Sequence, residues 1–161
     1  MNEEQLIESC RKGDRIGQKE LYNRFARKMM GVCYRYVNDK ETASDLLQDG
    51  FVKVFLSLGS YSGVGSFEGW IRKIFVNTAL EYLRKADVLR EATDLDNTAE
   101  LIQPDTSVIS SMTADELMQL VKELPPGFRT VFNLFAIEGY SHKFETKTAY
   151  GFLMYLNVWI D

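Results

Sequence analysis

Apolar residues recur at intervals of three and four along most of the first 86 residues. This spacing lines them up on one side of an α-helix, so it predicts helices over residues 3–12, from about 16 to 37, and from Thr42 onward. A stretch rich in glycine and serine at 58–66 then interrupts the pattern, because these residues favour a loop. The segment 66–86 resumes the pattern as a fourth helix.

The second and third of these predicted helices each offer a continuous apolar side. The expected core residues are Leu21, Phe25, Val32 and Tyr36 in the second helix, and Ala43, Leu47, Phe51, Val54 and Leu58 in the third. Thr42 is the expected N-cap of the third helix, with Asp45 three residues later as an imperfect capping box.

The second half of the chain changes character after residue 86. Residues 87–112 are acidic and contain a proline, which predicts a flexible linker. Thr113 and Glu116 then form a capping box for a helix whose apolar side is Leu117, Leu120, Val121 and Leu124.

Two prolines at 125–126 end that helix, and a last one terminates near Gly139. No segment before residue 144 alternates convincingly like a strand. The predicted fold class is therefore all-α: a three- or four-helix domain, a linker and a helical hairpin.

The fourth helix carries two stripes, of which only one is explained by a core. The apolar stripe consists of Phe67, Ile71, Ile74, Phe75, Thr78 and Tyr82, and the adjoining stripe consists of Trp70, Lys73, Asn77, Glu81 and Arg84. Single-stranded DNA is held by flat side chains and cations, and an amide can hydrogen-bond the edge of an extruded base. The alternative is that Trp70 packs at the edge of the domain while the polar residues face water.

The charge of the chain is unevenly distributed. The net charge is −4, which argues against a protein that coats nucleic acid non-specifically. Residues 11–40, however, hold nine lysines and arginines against three acids, whereas residues 87–123 hold nine acids against two bases. A polyanion would therefore be attracted to the first region and repelled by the second.

The chain lacks the residues of common catalytic and metal sites. His142 is the only histidine, which excludes histidine-based triads and multi-histidine metal sites, and no phosphate-binding loop is present. Cys10 and Cys33 lack CxxC spacing and are expected to be reduced thiols. We expect no enzyme activity, no cofactor and no metal.

The expected location is the cytoplasm, without insertion into a membrane. The first 14 residues contain no apolar stretch typical of a signal peptide. The longest apolar-rich run has 12 residues, whereas a membrane helix needs about 20.

The order of these segments resembles a known family. Residues 21–86 resemble the second conserved region of bacterial sigma-70 family factors, of the small extracytoplasmic-function type: LYNRFARKMMGVCYRYVNDKETASDLLQDGFVKVFLSLGSYSGVGSFEGWIRKIFVNTALEYLRKA. Residues 115–143 resemble the opening of the family's fourth region: DELMQLVKELPPGFRTVFNLFAIEGYSHK. The resemblance implies a region 2 domain over 1–86, a linker over 87–112 and the start of region 4 over 113–143.

The same resemblance implies binding to core RNA polymerase and to promoter DNA, rather than catalysis. The residues implied to contact the clamp helices of the largest polymerase subunit are Asp45, Gln48, Asp49 and Lys53. Those implied to contact DNA, including the melted single strand, are the loop residues Tyr61, Ser62, Gly63, Val64, Gly65 and Ser66, the base-pocket residue Asn77, and the phosphate-binding residues Arg72, Lys73, Arg84 and Lys85. Trp70 is expected to brace the loop, and an anti-sigma factor is a further candidate partner.

The chain departs from the family pattern at its C-terminal end. Residues 144–161 lack the second amphipathic helix of a helix-turn-helix, so we expect recognition of the far upstream promoter element to be impaired. The resulting prediction is a sigma factor that directs promoter recognition and transcription initiation. The alternative is a helical interaction protein that sequesters polymerase or a regulator without using DNA.

Overall fold

The computed structural model describes residues 1–86 and 113–140, and within these ranges every regular element is helical. The elements before the gap are α1 (Glu3–Arg11), α2 (Arg15–Val37), α3 (Lys40–Ser57), a 3₁₀ turn (Leu58–Ser60) and α4 (Phe67–Lys85). Those after the gap are α5 (Ala114–Glu123), α6 (Pro126–Phe132) and a π-helical segment (Asn133–Ile137). The predicted all-α fold class is confirmed for the described residues.

Short polar residues set the helix boundaries near the N-terminus. Asn2 and Gln5 form a capping box that begins α1. Asp14 caps α2 by accepting a hydrogen bond from the backbone N–H of Ile16. Asn38 ends α2 in the left-handed conformation, with a φ of 53°.

The predicted start of α3 was wrong by a few residues. Its N-cap is Asp39, whose carboxylate accepts a hydrogen bond of 2.7 Å from the backbone N–H of Thr42. Thr42 therefore supplies a donor within the first turn instead of capping it. An aspartate that directly follows the reversal at Asn38 reaches the orphan N–H groups first, so the helix begins at Lys40.

The core of the N-terminal helices contains the residues that the periodicity predicted. All four expected residues of α2 and all five expected from the third helix are buried. The Phe51 ring of α3 meets Phe75 of α4 edge-on, with centroids 5.2 Å apart. Cys10 and Cys33 are buried free thiols, and burial raises the pKa of Cys33 to about 12, so it stays protonated at neutral pH.

The apolar face of α4 is wider than predicted. Its expected core residues are buried except for two, since Ile74 is half-buried and Tyr82 is 38% exposed. A second buried stripe with helical spacing was missed, and it consists of Val76, Ala79, Leu80 and Leu83. The stripe of Lys73 and Asn77 remains on the exposed side of the helix.

The described part of the C-terminal half is a pair of short helices. The capping box of Thr113 and Glu116 is confirmed at the start of α5. The expected apolar side of α5 is mostly not buried, since Val121 is enclosed but Leu120 is 50% and Leu124 is 36% exposed. Among residues 113–140, the buried polar residues are Arg129, Thr130 and Asn133.

The chain divides into two compact units, Met1–Tyr82 and Leu83–Asp161. The division falls inside α4, close to the predicted end of the first domain at residue 86. The predicted linker at 87–112 and the atypical tail at 144–161 lie outside the described residues. None of the described helices is long and apolar enough to cross a membrane.

Candidate nucleic-acid and polymerase interfaces

The loop at 61–66 joins the 3₁₀ turn to α4 and presents its residues 62–66 to solvent. Gly63 and Gly65 have φ angles of 78° and 82°, in the left-handed region that side chains with a Cβ rarely adopt. Val64 between them is 83% exposed. The glycines thus let the loop turn back on itself while its backbone stays accessible.

The stem of this loop is an aromatic cluster of Tyr61, Phe67 and Trp70. The Tyr61 ring lies 5.1 Å from the Phe67 ring and 5.2 Å from the Trp70 ring, and Phe67 stacks on Trp70 at 5.8 Å. Trp70 therefore braces the loop and the helix, as expected. It is not an isolated exposed stacking platform.

Tyr61 is placed differently from the other candidate residues of the loop. Its side chain is buried, and its hydroxyl donates a hydrogen bond of 3.0 Å to the carbonyl oxygen of Gly65. This bond closes the loop across its base. Tyr61 is consequently suited to shape the loop, whereas residues 62–66 are suited to meet a ligand.

Arg11, which sequence reasoning missed, also holds the loop. Its Nε donates to the carbonyl oxygen of Leu58 at 3.2 Å, and its Nη2 donates to that of Tyr61 at 2.6 Å. These partners are 47 and 50 residues away in the chain, so helical periodicity contains no signal for the contact.

Asn77 has an exposed side chain on the outer side of α4. Within the part of the chain that the structure describes, its amide makes no hydrogen bond, so both its donor and its acceptor are available. Trp70 lies seven residues earlier, about two turns or ~10.5 Å along the axis. The structure therefore aligns Asn77 with the braced stem of the loop but does not bring the two into contact.

The cations of α4 differ in their surroundings. Lys73 is exposed one turn before Asn77, and Arg84 is exposed in the last turn of the helix. Neither forms an ion pair with another described residue. Arg72 is half-buried and Lys85 is exposed. Both of these residues interact with other residues of the protein.

Both carboxylates of α4 are paired with lysines of neighbouring helices. Glu68 accepts from Lys28 of α2 at 2.7 Å, and Glu81 accepts from Lys53 of α3 at the same distance. These pairs offset the negative charge on the helix that carries Lys73 and Asn77. The outer side of α4 is consequently favourable for a phosphate backbone.

The exposed face of α3 carries the other set of candidate residues. Asp45, Gln48 and Asp49 are exposed at helical spacing, and none of them pairs with another described residue. Val52 and Leu56 continue the same side and are 57% and 81% exposed. We call these five residues the α3 face.

Sequence reasoning missed the two apolar members of the α3 face. Their signal was present, since both follow Gln48 at steps of four. Lys53, which was grouped with this surface, donates a hydrogen bond to Glu81 of α4, and its predicted contact with polymerase stays a prediction.

Comparison with known proteins shows which family this part of the chain resembles. Residues 21–88 match the family model described as Sigma-70 region 2. This part of the chain is therefore similar to region 2 of the sigma-70 family, and several similar curated proteins are named extracytoplasmic-function (ECF) RNA polymerase sigma factors. The matched range contains the α3 face, the loop at 61–66 and the whole of α4, whereas Arg11 precedes it.

Several curated proteins are similar to this chain over most of its length. An RNA polymerase sigma-H factor from Pseudomonas aeruginosa is 27% identical over 154 residues, which cover 88% of this chain and 79% of that protein. An ECF RNA polymerase sigma-E factor from Haemophilus influenzae is 27% identical over 156 residues, covering 89% and 81%. The ECF RNA polymerase sigma factor SigE from Mycolicibacterium smegmatis is 34% identical over 128 residues, covering 77% and 49%.

Proposed function

We propose that this sigma factor docks on core RNA polymerase through the α3 face and holds one unpaired promoter base between the loop at 61–66 and Asn77. The chain is a sigma factor that directs promoter recognition and transcription initiation, in keeping with its region 2 match and its relatives, which are named RNA polymerase sigma factors. These relatives do not favour the alternative of a protein that only sequesters polymerase. Because polymerase and promoter occupy the bacterial cytoplasm, we propose that the chain acts there.

The observation that carries the base-capture proposal is the exposed and unbonded amide of Asn77. An amide offers one acceptor and two donor hydrogens, which is what reading the edge of a base requires. Lys73, one turn away, adds a positive charge for the neighbouring phosphate. The accessible backbone of Gly63 and Gly65 supplies further partners at the other end of the site.

Base capture must offset the cost of extrusion. Unstacking a base costs about a few kcal/mol, least where the strand is already melted. Hydrogen bonds from a loop that is ordered before binding avoid a further entropic cost, because the loop does not have to be immobilised by the ligand. The hydrogen bonds of Tyr61 and Arg11 support such preorganisation.

The α3 face supports docking on a protein partner. Its carboxylates Asp45 and Asp49 would steer encounter with a basic surface and restrict the choice of partner. Its apolar residues Val52 and Leu56 would become buried in the complex and contribute affinity. The clamp helices of the largest polymerase subunit are the partner that we propose for this face.

Two expectations drawn from the sequence remain predictions. An anti-sigma factor is a candidate partner on the family resemblance alone. Impaired recognition of the far upstream element concerns residues outside the described ranges.

The proposal is tested with a promoter fork that exposes its non-template strand. The protein is mixed with core polymerase, and the affinity of the complex for the fork is compared with its affinity for a fork of scrambled single strand. Asn77→Ala is expected to weaken binding to the promoter fork about tenfold, because it removes hydrogen bonds to a desolvated base edge. Asn23→Ala, which removes an exposed amide from α2, is the matched control and should change nothing.

The two parts of the proposal have separate readouts. Equal affinity of the native complex for both forks would contradict sequence-dependent base capture. Failure of the protein to bind core polymerase at all would contradict the docking role of the α3 face.

A further inference from the structure

We propose that Arg11 is a positioning residue for base capture, acting through the backbone of the loop stem and not by touching DNA. This inference rests on the proposed function. It assigns a role in DNA binding to α1, which lies before the residues that match the sigma-70 region 2 family model.

The Arg11 side chain bridges two backbone carbonyl groups at the start of the loop. Its guanidinium donates hydrogen bonds to the carbonyl oxygens of Leu58, the first residue of the 3₁₀ turn, and of Tyr61, the residue that directly follows the turn. A planar guanidinium can donate in two directions at once, so one side chain fixes the spacing of both carbonyls. The Tyr61 backbone N–H also donates to the Leu58 oxygen, at 3.3 Å, which tightens the same turn.

A second link carries this restraint into the loop. The carbonyl oxygen of Tyr61 accepts a hydrogen bond from Arg11, and the Tyr61 hydroxyl donates one to the carbonyl oxygen of Gly65. Residues 61 and 65 are therefore both tied to the body of the domain, while Ser62, Gly63 and Val64 between them are exposed. The two ends of the exposed segment are held at a fixed separation before any ligand arrives.

An ion pair does not account for the position of the Arg11 side chain. No carboxylate among the described residues lies within ion-pair distance of it, whereas the adjacent Lys12 is paired with Glu8 at 3.4 Å. Arg11 also sits in the last turn of α1, where a cation is only modestly favourable to the helix. Its specific contacts are the two carbonyls, and these belong to the loop stem.

Without Arg11, the energy of base contacts would have to order the loop as well as hold the base. The loss should therefore appear in binding that depends on the base, and not in docking through the α3 face, since Arg11 forms no hydrogen bond or ion pair with any residue of that face. An effect on the fold as a whole would instead reduce every form of binding together.

The experiment compares forks with and without the captured base. The full chain is bound to core polymerase, and the affinity of the complex is measured for the promoter fork and for forks in which each exposed non-template base in turn is replaced by an abasic site. The ratio of intact to abasic affinity at the most sensitive position reports base capture. The variants are Arg11→Ala, Arg11→Lys and, as a control for charge, Lys12→Ala.

Arg11→Ala is expected to lower this ratio about 5- to 10-fold, since two hydrogen bonds that order the loop are lost. Arg11→Lys retains the charge but not the paired donors of the guanidinium. Its ratio of intact to abasic affinity should therefore fall to about half of the native value or lower. Lys12→Ala should retain the native ratio. Affinity for core polymerase and for the abasic fork should stay within about twofold of the native values in all three.

The outcomes separate this inference from the proposed function. If the native protein shows a ratio of intact to abasic affinity of one at every position, base capture itself is contradicted, and so is the proposed role of Arg11. A native ratio above one that Arg11→Ala and Arg11→Lys both retain leaves base capture standing and overturns the inference. If Arg11→Ala fails to fold, Arg11→Lys decides the question alone, and a native ratio in that variant overturns the proposal.

Discussion

Tyr61 determines the shape of the candidate base-binding loop at the scale of single residues. Its ring is packed against Phe67 and Trp70, and its hydroxyl reaches the Gly65 carbonyl. A phenol of this kind contributes apolar packing at one end and a directed hydrogen bond at the other. Removal of the hydroxyl alone should therefore loosen the loop while the aromatic cluster remains.

Tyr61→Phe is expected to lower the free energy of unfolding by about 1 kcal/mol, the usual net value of one internal hydrogen bond. It should also weaken binding of the polymerase complex to the promoter fork several-fold, because the loop is less ordered before binding. Chemical denaturation and fork titration measure the two effects. Tyr22→Phe is the matched control, since Tyr22 is exposed and its hydroxyl has no described partner. Equal behaviour of the two variants would contradict the role of the Tyr61 hydroxyl.

At the scale of elements, the close approach of α3 and α4 depends on Gly50. A Cβ at this position would lie 2.2 Å from the Phe75 ring, well inside van der Waals contact. Phe75 is itself fully buried and packs edge-on against Phe51, so it has little room to move. The absence of a side chain at Gly50 thus sets the distance between the two helices that carry the proposed interfaces.

Gly50→Ala is expected to destabilise the protein by about 1–3 kcal/mol, because overpacking outweighs the better helix propensity of alanine. Gly31→Ala in α2 is the control, since its Cβ would meet nothing closer than an Arg35 nitrogen at 4.0 Å. That variant should be neutral or slightly more stable. Thermal or urea unfolding distinguishes them, and a Gly50→Ala protein as stable as Gly31→Ala would show that the helices can separate without cost.

The pairing of Lys53 with Glu81 alters what is expected of the polymerase-binding set. Its amine is already 2.7 Å from a carboxylate of α4, whereas the Asp49 carboxylate has no described partner. We therefore expect Asp49→Ala to weaken binding to core polymerase more than Lys53→Ala does. Competition with a labelled native protein measures both affinities.

The stability of the two variants provides the control for that comparison. Ion pairs as exposed as Lys53–Glu81 contribute about 0–1 kcal/mol, so neither substitution should unfold the domain. A larger loss of polymerase affinity in Lys53→Ala than in Asp49→Ala would place Lys53 in the interface despite its partner.

At the scale of the whole molecule, the division into two units separates the proposed functions from the C-terminal half. The α3 face, the loop at 61–66 and Asn77 all lie within the unit Met1–Tyr82. This unit also contains its own buried core, drawn from α1 to α4. Docking and base capture should therefore not require the second unit.

We expect a fragment of residues 1–86 to unfold cooperatively and to bind core polymerase. Its affinity for the promoter fork in that complex should depend on Asn77 as it does in the full chain. Calorimetry and fork titration test these statements. A fragment that is unfolded, or that binds polymerase but has lost all dependence on Asn77, would show that the second unit takes part in the site.

The sequence predicts structural features that depend on residues close together in the chain better than features that depend on how the helices pack. The buried residues of α2 and α3 follow from periodicity, since each of these helices meets the core along one side. The second buried stripe of α4 did not follow, because that helix is buried on more than one side, and Tyr82, expected in the core, is exposed. The N-cap at Asp39 was missed because two acceptors, Asp39 and Thr42, compete within one turn.

The candidate site was predictable in part for the same reason. The glycines of the loop and the amide at Asn77 are local features, and the family resemblance linked them. The hydrogen bonds of Arg11 join residues about 50 positions apart in the chain, so they are visible only in the folded structure. The pairing of Lys53 with Glu81 likewise depends on how α3 and α4 pack together.

The most direct test of the account is a double-mutant cycle between Asn77 and the base that it is proposed to hold. Fork affinities of the polymerase complex are measured for native protein and Asn77→Ala, each with an intact fork and with a fork abasic at the sensitive position. If the amide binds that base, the Asn77→Ala loss should largely vanish on the abasic fork, giving a coupling of about 1–3 kcal/mol. Equal losses on both forks would show that Asn77 does not contact the base, and would contradict capture of an unpaired base at this site.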